Sequence, residues 1–304
     1  QAVGPDRVHV GGNIGGSLLD KLHAIQNDHW IVLELSSFML DSLDQDAWSP
    51  GTAVVTNFAP NHLDWHGRIE DYTTAKQVIL KHQSAGDRAI LGQTVAHWPT
   101  NPGVERHAVK EMDRQIDLAL PGQHNRFNAM CAITFAEAAA IGGINLLHSL
   151  GDFAGLPHRL QFVCEHHGVR YFNDSKSTTP DAAILALRSF DAGTVHIILG
   201  GYDKGSDLKP LAGLASQHCR VIYTIGTTGD AIADAAEASA GRAGIIRCGT
   251  LERAIKQITG RTQQGDVVLL SPGCASLDQF SNYEHRGAAF TEAVSKCPGD
   301  TDST

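Results

Sequence analysis

The chain has 304 residues, room for about two domains at ~150 residues each. Hydrophobic residues make up 42% and charged residues 19%, which fits a folded core, while a formal net charge of −9 excludes a general nucleic-acid binder, because such proteins need a basic surface. No apolar run approaches the ~18 residues of a membrane span, the opening QAVGPDRVHV carries no signal-peptide pattern, and the six cysteines form no CxxC pair, so free thiols in a reducing cytosol are expected.

In chain order, VHVGGNIG predicts a short strand running into a glycine turn, and SLLDKLHAI a helix. HWIVLELSSF is a nearly continuous apolar run, which predicts a buried parallel strand ending at an acid and two serines. AVVTNFAP predicts a second such strand, closed by Pro60. DYTTAKQVIL predicts a helix with Asp71 as its cap. From 82 to 121 the sequence is polar, with short strand-like pieces such as RAILG. NAMCAITFAEAAAI predicts an Ala-rich helix that Gly142 and Gly143 stop. A new rhythm then begins at LPHRLQFV. VRYFND, VHIILGG, CRVIYTIG and DVVLLSPG alternate with helical segments such as DAAILALRSF, the signature of a parallel, helix-covered sheet. The domain boundary falls near Gly155, giving domains 1–155 and 156–304, and the tail CPGDTDST reads as frayed.

Ligands of open α/β sheets bind beyond the carboxyl ends of the strands. Here those ends carry Glu34-Ser36-Ser37, Asn57 to His62, Asn173 to Lys176, Gly200 to Lys204 and Ser271 to Ser276. Chance would scatter such polar groups, so an active site is expected along these edges.

Single motifs leave two readings each. Glu34 suits a helix cap or a metal- or phosphate-site carboxylate, since Mg²⁺ prefers oxygen ligands. NHLDWHG, with His62, Asp64 and His66, suits a solvated turn or the completion of a metal site. Lys76, in AKQVIL, suits a snorkelling surface lysine or a site group. Asn125 and Asn128 lie three apart at a helix start, where they cap the helix or read a purine edge and ribose. Arg159 suits an interdomain ion pair or a phosphate clamp. NDSKSTTP places Asp174 and Lys176 in a loop before a helix that starts at Thr178-Thr179-Pro180, a ready anion site. Lys204 in GGYDKGSD and the loop LLSPGCASLDQF repeat the theme, so three anion-friendly loops point to a carboxylate or phosphate substrate.

Taken together, GGNIGG, ELSSF, TNFAPNHLDWHG, DYTTAK, LPGQHNRFNA, LPHRLQFV, FNDSKSTTP, LGGYDKGSD and LLSPGCASLDQFSNYEHRG occur in the order found in the Mur ligases, from residue 11 to 287. The chain resembles that family, and its last three motifs resemble the D-glutamate-adding branch. The resemblance implies an α/β fold: a P-loop NTPase-like central domain, here partial, followed by a Rossmann-like C-terminal domain. It implies a cytoplasmic, monomeric enzyme of peptidoglycan precursor synthesis, using ATP and Mg²⁺, with neither nucleic acid nor membrane as partner. ATP would phosphorylate the carboxylate of UDP-N-acetylmuramoyl-L-alanine, and the amine of D-glutamate would displace the phosphate through a tetrahedral intermediate. By the same resemblance Glu34, His62 and Lys76 (as a carbamate) are the Mg²⁺ side, and Asn13 and Ser36 touch the muramoyl substrate. Asn125, Asn128, Arg159 and Asp174 touch the nucleotide. Lys176, Thr178, Lys204, Ser276, Leu277 and Tyr283 form the D-glutamate pocket, with Lys176 near the transferred phosphate and counted, with Lys76 and His62, as catalytic.

Three departures stand out. The GxxGKS/T text expected just upstream of GGNIGG and the N-terminal UDP-binding domain are absent from these residues, so a fragment without turnover of its own is expected. The stretch 77–120 is short. Trp65 replaces a more usual basic residue. A folylpolyglutamate-synthase-like ligase, which should lack SPGCASLDQF, and a non-catalytic nucleotide-binding remnant are the alternatives.

Overall fold

A computed structural model describes residues 4–14, 16–59, 63–109, 118–141 and 146–296. Its contacts divide the chain into two compact units, Gln1–Asp117 with Arg126–Gly151, and Leu118–Asn125 with Asp152–Thr304.

In the first unit β1 (Val8–Gly12) lies parallel to β2 (Trp30–Glu34), with Gly12 opposite Glu34. SLLDKLHAI forms only a 3-10 turn, Leu19–Ala24, rather than the expected helix. It lacks a side-chain cap and buries no residue, so nothing offsets the cost of nucleating a longer helix. Helix α1 (Ser37–Gln45) follows, then β3 (Thr52–Val55), the single turn α2 (Leu63–His66), α3 (Ile69–Lys81), β4 (Arg88–Leu91) and β5 (Glu105–Ala108). The parallel sheet β3-β4-β5 is separate from β1-β2. Ala53, Leu80, Ala89, Leu91, Val95 and Trp98 pack its core, and Leu35, Leu40 and Val78 pack α1 on α3.

Three local expectations change. β2 is a parallel strand, but Ile31, Val32 and Leu33 are 49%, 46% and 40% exposed rather than buried. Successive strand residues point to opposite faces, so both faces of β2 are open. Asp71 is not the cap of α3. Arg68 takes that position, and its guanidinium is held by Asp71 at 2.9 Å. The Ala-rich helix α4 (Gln123–Ala138) ends in a turn through Ala140, whose φ is 53°, and Gly142 and Gly143 lie outside the described residues. The short α5 (Leu146–Gly151) completes the unit.

The second unit runs β6 (Gln161–His166), β7 (Val169–Asn173), α6 (Pro180–Leu187), β8 (Val195–Gly200), α7 (Lys209–His218), β9 (Val221–Ile225) and α8 (Gly229–Ala238). It continues with β10 (Gly244–Gly249), α9 (Leu251–Ile258), β11 (Val267–Leu270) and α10 (Tyr283–Ser295). These strands form one sheet of order β10-β9-β8-β11-β7-β6, parallel except for β6, which is antiparallel to β7. The expected helix-covered α/β sheet is present. Its strands read as unbroken apolar runs because both faces are covered. Ile197 and Leu199 of β8 join the core under α6, α7 and α8, while Ile198 between them joins the core under α9 and α10.

This topology positions a site. β8 leads into α7 on one face, and its neighbour β11 leads into α10 on the other. The connections part there, and a crevice opens beyond the carboxyl ends of the two strands. No helix among the described residues is long and apolar enough to cross a membrane.

Candidate active site

A small, shallow cleft opens at that crevice, lined by Thr178 from the β7 loop, Tyr202, Asp203, Lys204, Ser206 and Leu208 from the β8 loop, and Gly273, Cys274 and Ala275 from the β11 loop. Backbone bonds lace the loops together. The Tyr202 N–H donates to the Ala275 carbonyl at 2.8 Å, and the Gly200 N–H to that of Pro272 at 2.8 Å. Gly201 has φ 152°, and a Cβ there would stand 2.1 Å from the Ala275 oxygen, so only glycine lets the loops approach this closely.

Beneath the cleft lies a buried polar layer. Asp174 accepts from the Leu160 N–H at 3.1 Å and from the hydroxyls of Ser177 and Ser271. Burial pushes its carboxyl up to about 6, against the pull of those hydrogen bonds and of the Arg159 charge. Asn173 donates to the Gly287 carbonyl at 3.0 Å and to Thr291 Oγ1 at 3.1 Å. Arg286 of α10, 1% exposed, donates from Nε to Ser175 Oγ (3.0 Å), from Nη2 to the carbonyls of Ser175 (2.9 Å) and Cys274 (3.0 Å), and from Nη1 to that of Ala275 (3.1 Å). Burial lowers its pKa to about 10, which leaves the guanidinium charged at neutral pH.

The expected pocket residues of this unit sit along the same edge. Lys176 Nζ stands 3.9 Å from the centre of the Tyr283 ring. Thr178 is half-buried before α6, and Lys204 and Arg159 are exposed. Ser276 is buried, while Leu277 of the same loop is exposed. Asn125 uses its amide to cap the turn at the Pro121 carbonyl, 2.7 Å away.

In the first unit the ends of β1 and β2 meet, where the Asn13 N–H donates to the Glu34 carbonyl at 2.8 Å. Ser36 caps α1 by accepting from the Met39 N–H at 3.2 Å. Lys76 reaches the same place from α3, its Nζ donating to the Leu35 carbonyl at 3.3 Å. Burial lowers the pKa of its ammonium, and the Glu34 charge opposes that shift. His66 sits nearby, 2.9 Å from Ser37 Oγ and stacked on Phe38. His62 lies outside the described residues, and Asn128 is exposed on α4. No group of three metal-ligating side chains occurs among the described residues. A Mg²⁺ ion needs only one or two carboxylates when phosphates and water complete its shell, so the exposed Glu34 carboxylate fits such an ion.

Two family descriptions match the chain: the Mur ligase middle domain over residues 14–101 and the Mur ligase glutamate ligase domain over residues 158–274. The UDP-N-acetylmuramoylalanine--D-glutamate ligase of Koribacter versatilis is 36% identical over 321 residues, covering 96% of this chain and 69% of that protein. The chain belongs to the Mur ligase family. The enzyme of the same name from Acidobacterium capsulatum is 35% identical, over 94% of this chain and 68% of its own length. Among solved structures, the UDP-N-acetylmuramate-alanine ligase MurC of Thermotoga maritima shares the fold, with a TM-score of 0.64 at 16% identity over 97% of this chain and 76% of its own. The MurF ligase of Thermotoga maritima in complex with ADP does so too, with a TM-score of 0.64 at 16% identity over 95% and 75%.

In this Mur ligase the sequence reading missed Arg286. A signal for it exists: Arg286, Phe290 and Val294 recur at four-residue spacing and are all buried, so the arginine stands on the apolar stripe of α10. A charge on such a stripe needs internal partners, and the Ser175 and Cys274–Ala275 loops supply them.

Proposed function

We propose that this Mur ligase joins D-glutamate to UDP-N-acetylmuramoyl-L-alanine at the expense of ATP, as a cytoplasmic monomer in peptidoglycan precursor synthesis. The cleft between the β8 and β11 loops carries the reading, because it gathers Thr178, Lys204 and the turn before Ser276 at one strand edge. An acid and an amine do not condense at neutral pH, so the muramoyl-alanine carboxylate takes the γ-phosphoryl group of ATP. The D-glutamate amine then attacks the acyl carbon, and phosphate leaves as the amide forms. Both partners are anions, so their approach needs fixed cations. Lys176 serves at the transferred phosphate, and Lys204 with Thr178, Ser276, Leu277 and Tyr283 holds D-glutamate. The family resemblance gives nucleotide contacts to Asn125, Asn128, Arg159 and Asp174, the last of which here accepts from Leu160, Ser177 and Ser271. Asn13 and Ser36 face the muramoyl substrate. On this reading 1–155 is the ATP-binding domain and 156–304 the D-glutamate-binding domain. The D-glutamate branch is favoured over folylpolyglutamate synthase, since likeness to the Mycobacterium tuberculosis enzyme of that name is 15% identity and reaches the fold alone.

The test is binding of D-glutamate. Lys204→Ala weakens it about tenfold, the lower end of what a charge-assisted hydrogen bond is worth, and leaves ADP affinity unchanged. Calorimetry that finds equal D-glutamate affinity in both proteins removes Lys204 from the pocket.

Glu34, His62 and Lys76 would hold Mg²⁺, whose chemistry is to neutralise phosphate oxygens. An ammonium cannot ligate a cation, but a lysine carbamate offers oxygens. Burial of Lys76 favours its neutral amine, the form that adds to CO₂ with loss of a proton. In ¹³C-bicarbonate the protein gives one carbamate carbon signal, and Lys76→Arg abolishes it. A signal that survives the substitution places the carbamate elsewhere.

A further inference from the structure

Lys176 is held at its backbone and at the head of its side chain. Its backbone N–H donates to the His158 carbonyl at 3.0 Å. Its ammonium stands 3.9 Å from the centre of the Tyr283 ring. A lysine in open solvent samples many rotamers, so holding the head in one place removes an entropic cost from any later contact.

Tyr283 is itself held at its backbone and at the edge of its ring. The Tyr283 carbonyl, at the first residue of α10, accepts from Ser175 Oγ at 2.8 Å. The His158 ring meets the Tyr283 ring edge-on, with centroids 6.0 Å apart and planes at 81°. His158 in turn has φ 63° and a ring nitrogen 3.1 Å from Asn173 Nδ2. The Glu284 carboxyl beside the ring is held below the usual carboxylate range, by the Tyr283 side chain first and also by the Lys176 charge.

We propose that Tyr283 is a positioning residue: its ring seats the Lys176 ammonium at the strand edge so that an incoming phosphate-type anion meets a cation already in place. An ammonium has three N–H donors. The ring takes one side of it, and the donors on the other side stay free to turn toward an anion. This gives Tyr283, beside its place in the D-glutamate pocket, an action through Lys176. It rests on the anion-site reading of Lys176 given above.

The experiment is NMR on the full chain carrying ¹³C-lysine, with Lys176 assigned by Lys176→Arg and inorganic phosphate as the probe. In the wild type the Lys176 Hε resonances lie upfield of the other lysines, because the ring current of Tyr283 shields them. Tyr283→Phe keeps that shift and keeps the phosphate affinity at Lys176. Tyr283→Leu, at an unchanged melting temperature, loses the shift and weakens phosphate about two- to fivefold, the worth of a cation–π contact. If Tyr283→Leu misfolds, the Phe variant and the wild-type shift still decide the seating. Ordinary Hε positions in the wild type overturn the proposal. So does a phosphate affinity that is equal or higher in Tyr283→Leu. Absence of any Lys176 response to phosphate in the wild type overturns the anion-site reading together with it, whereas equal responses in wild type and Leu variant overturn the seating alone.

Discussion

Arg286→Met lowers the melting temperature by about 10 °C, at ~1–3 kcal/mol for each backbone acceptor that it leaves buried without a donor and ~2–4 °C per kcal/mol for a unit of this size. Replacing a buried ion pair by apolar side chains is often neutral, because both partners go. Here three of the acceptors are the backbone carbonyls of Ser175, Cys274 and Ala275, which no substitution removes. Truncation leaves the Ser175 and Cys274 carbonyls without a donor, at ~1–3 kcal/mol each before relaxation, while the Ala275 carbonyl keeps the Tyr202 N–H. Burial disfavours the guanidinium charge, and Met recovers that part. The residual pKa of about 10 shows that the hydrogen-bonded charge still wins at neutral pH. Arg286→Lys does not restore stability, because one ammonium cannot reach from Ser175 Oγ to the Ala275 carbonyl as the planar fork does. A Met variant that melts within ~3 °C of the wild type in differential scanning calorimetry reduces Arg286 to a filler of α10.

Asp174 gives a stability that falls as the solution becomes less acidic. Its carboxyl titrates near 6 in the folded chain and near ~3.9 when unfolded, so folding favours the protonated form. The contribution is complete below pH ~4 and is lost as pH rises through about 6. About two pH units correspond to ~3 kcal/mol. Measured against Asp174→Asn, which cannot titrate, wild-type stability drops by about that amount between pH 4 and pH 7. Denaturant titrations of both proteins at several pH values isolate the effect, since every other group is common to both. A difference that stays flat across this range means that the hydroxyls of Ser177 and Ser271 compensate burial in full.

The strand–helix alternation of the second unit was legible because covered parallel strands are apolar throughout, and VHIILGG and DVVLLSPG have no other simple reading. The convergence of the loops after Asn173, Gly200 and Leu270 was legible for a related reason: polar residues at strand ends have one common edge to share. What lay beyond reach was the direction in which each polar group turns. Asp174 and Lys204 look alike as loop charges in sequence, yet one is buried on three donors and the other is exposed. Likewise, HWIVLELSSF announces an apolar strand but says nothing of how much of it a neighbour covers. Arg286 was hidden because its partners, in the Ser175 and Cys274–Ala275 loops, are set by tertiary approach and by nothing near it in the chain.

The open faces of β2 bear on how the chain behaves at high concentration. Ile31, Val32 and Leu33 present apolar groups on both sides of a short parallel ribbon, a surface that other copies can wet as readily as it avoids water. Sulfate and phosphate salts strengthen such contact, and mild urea weakens it. Contact between copies of this Mur ligase can thus start at the apolar ribbon that ends at Glu34, beside the groups that carry its charge chemistry.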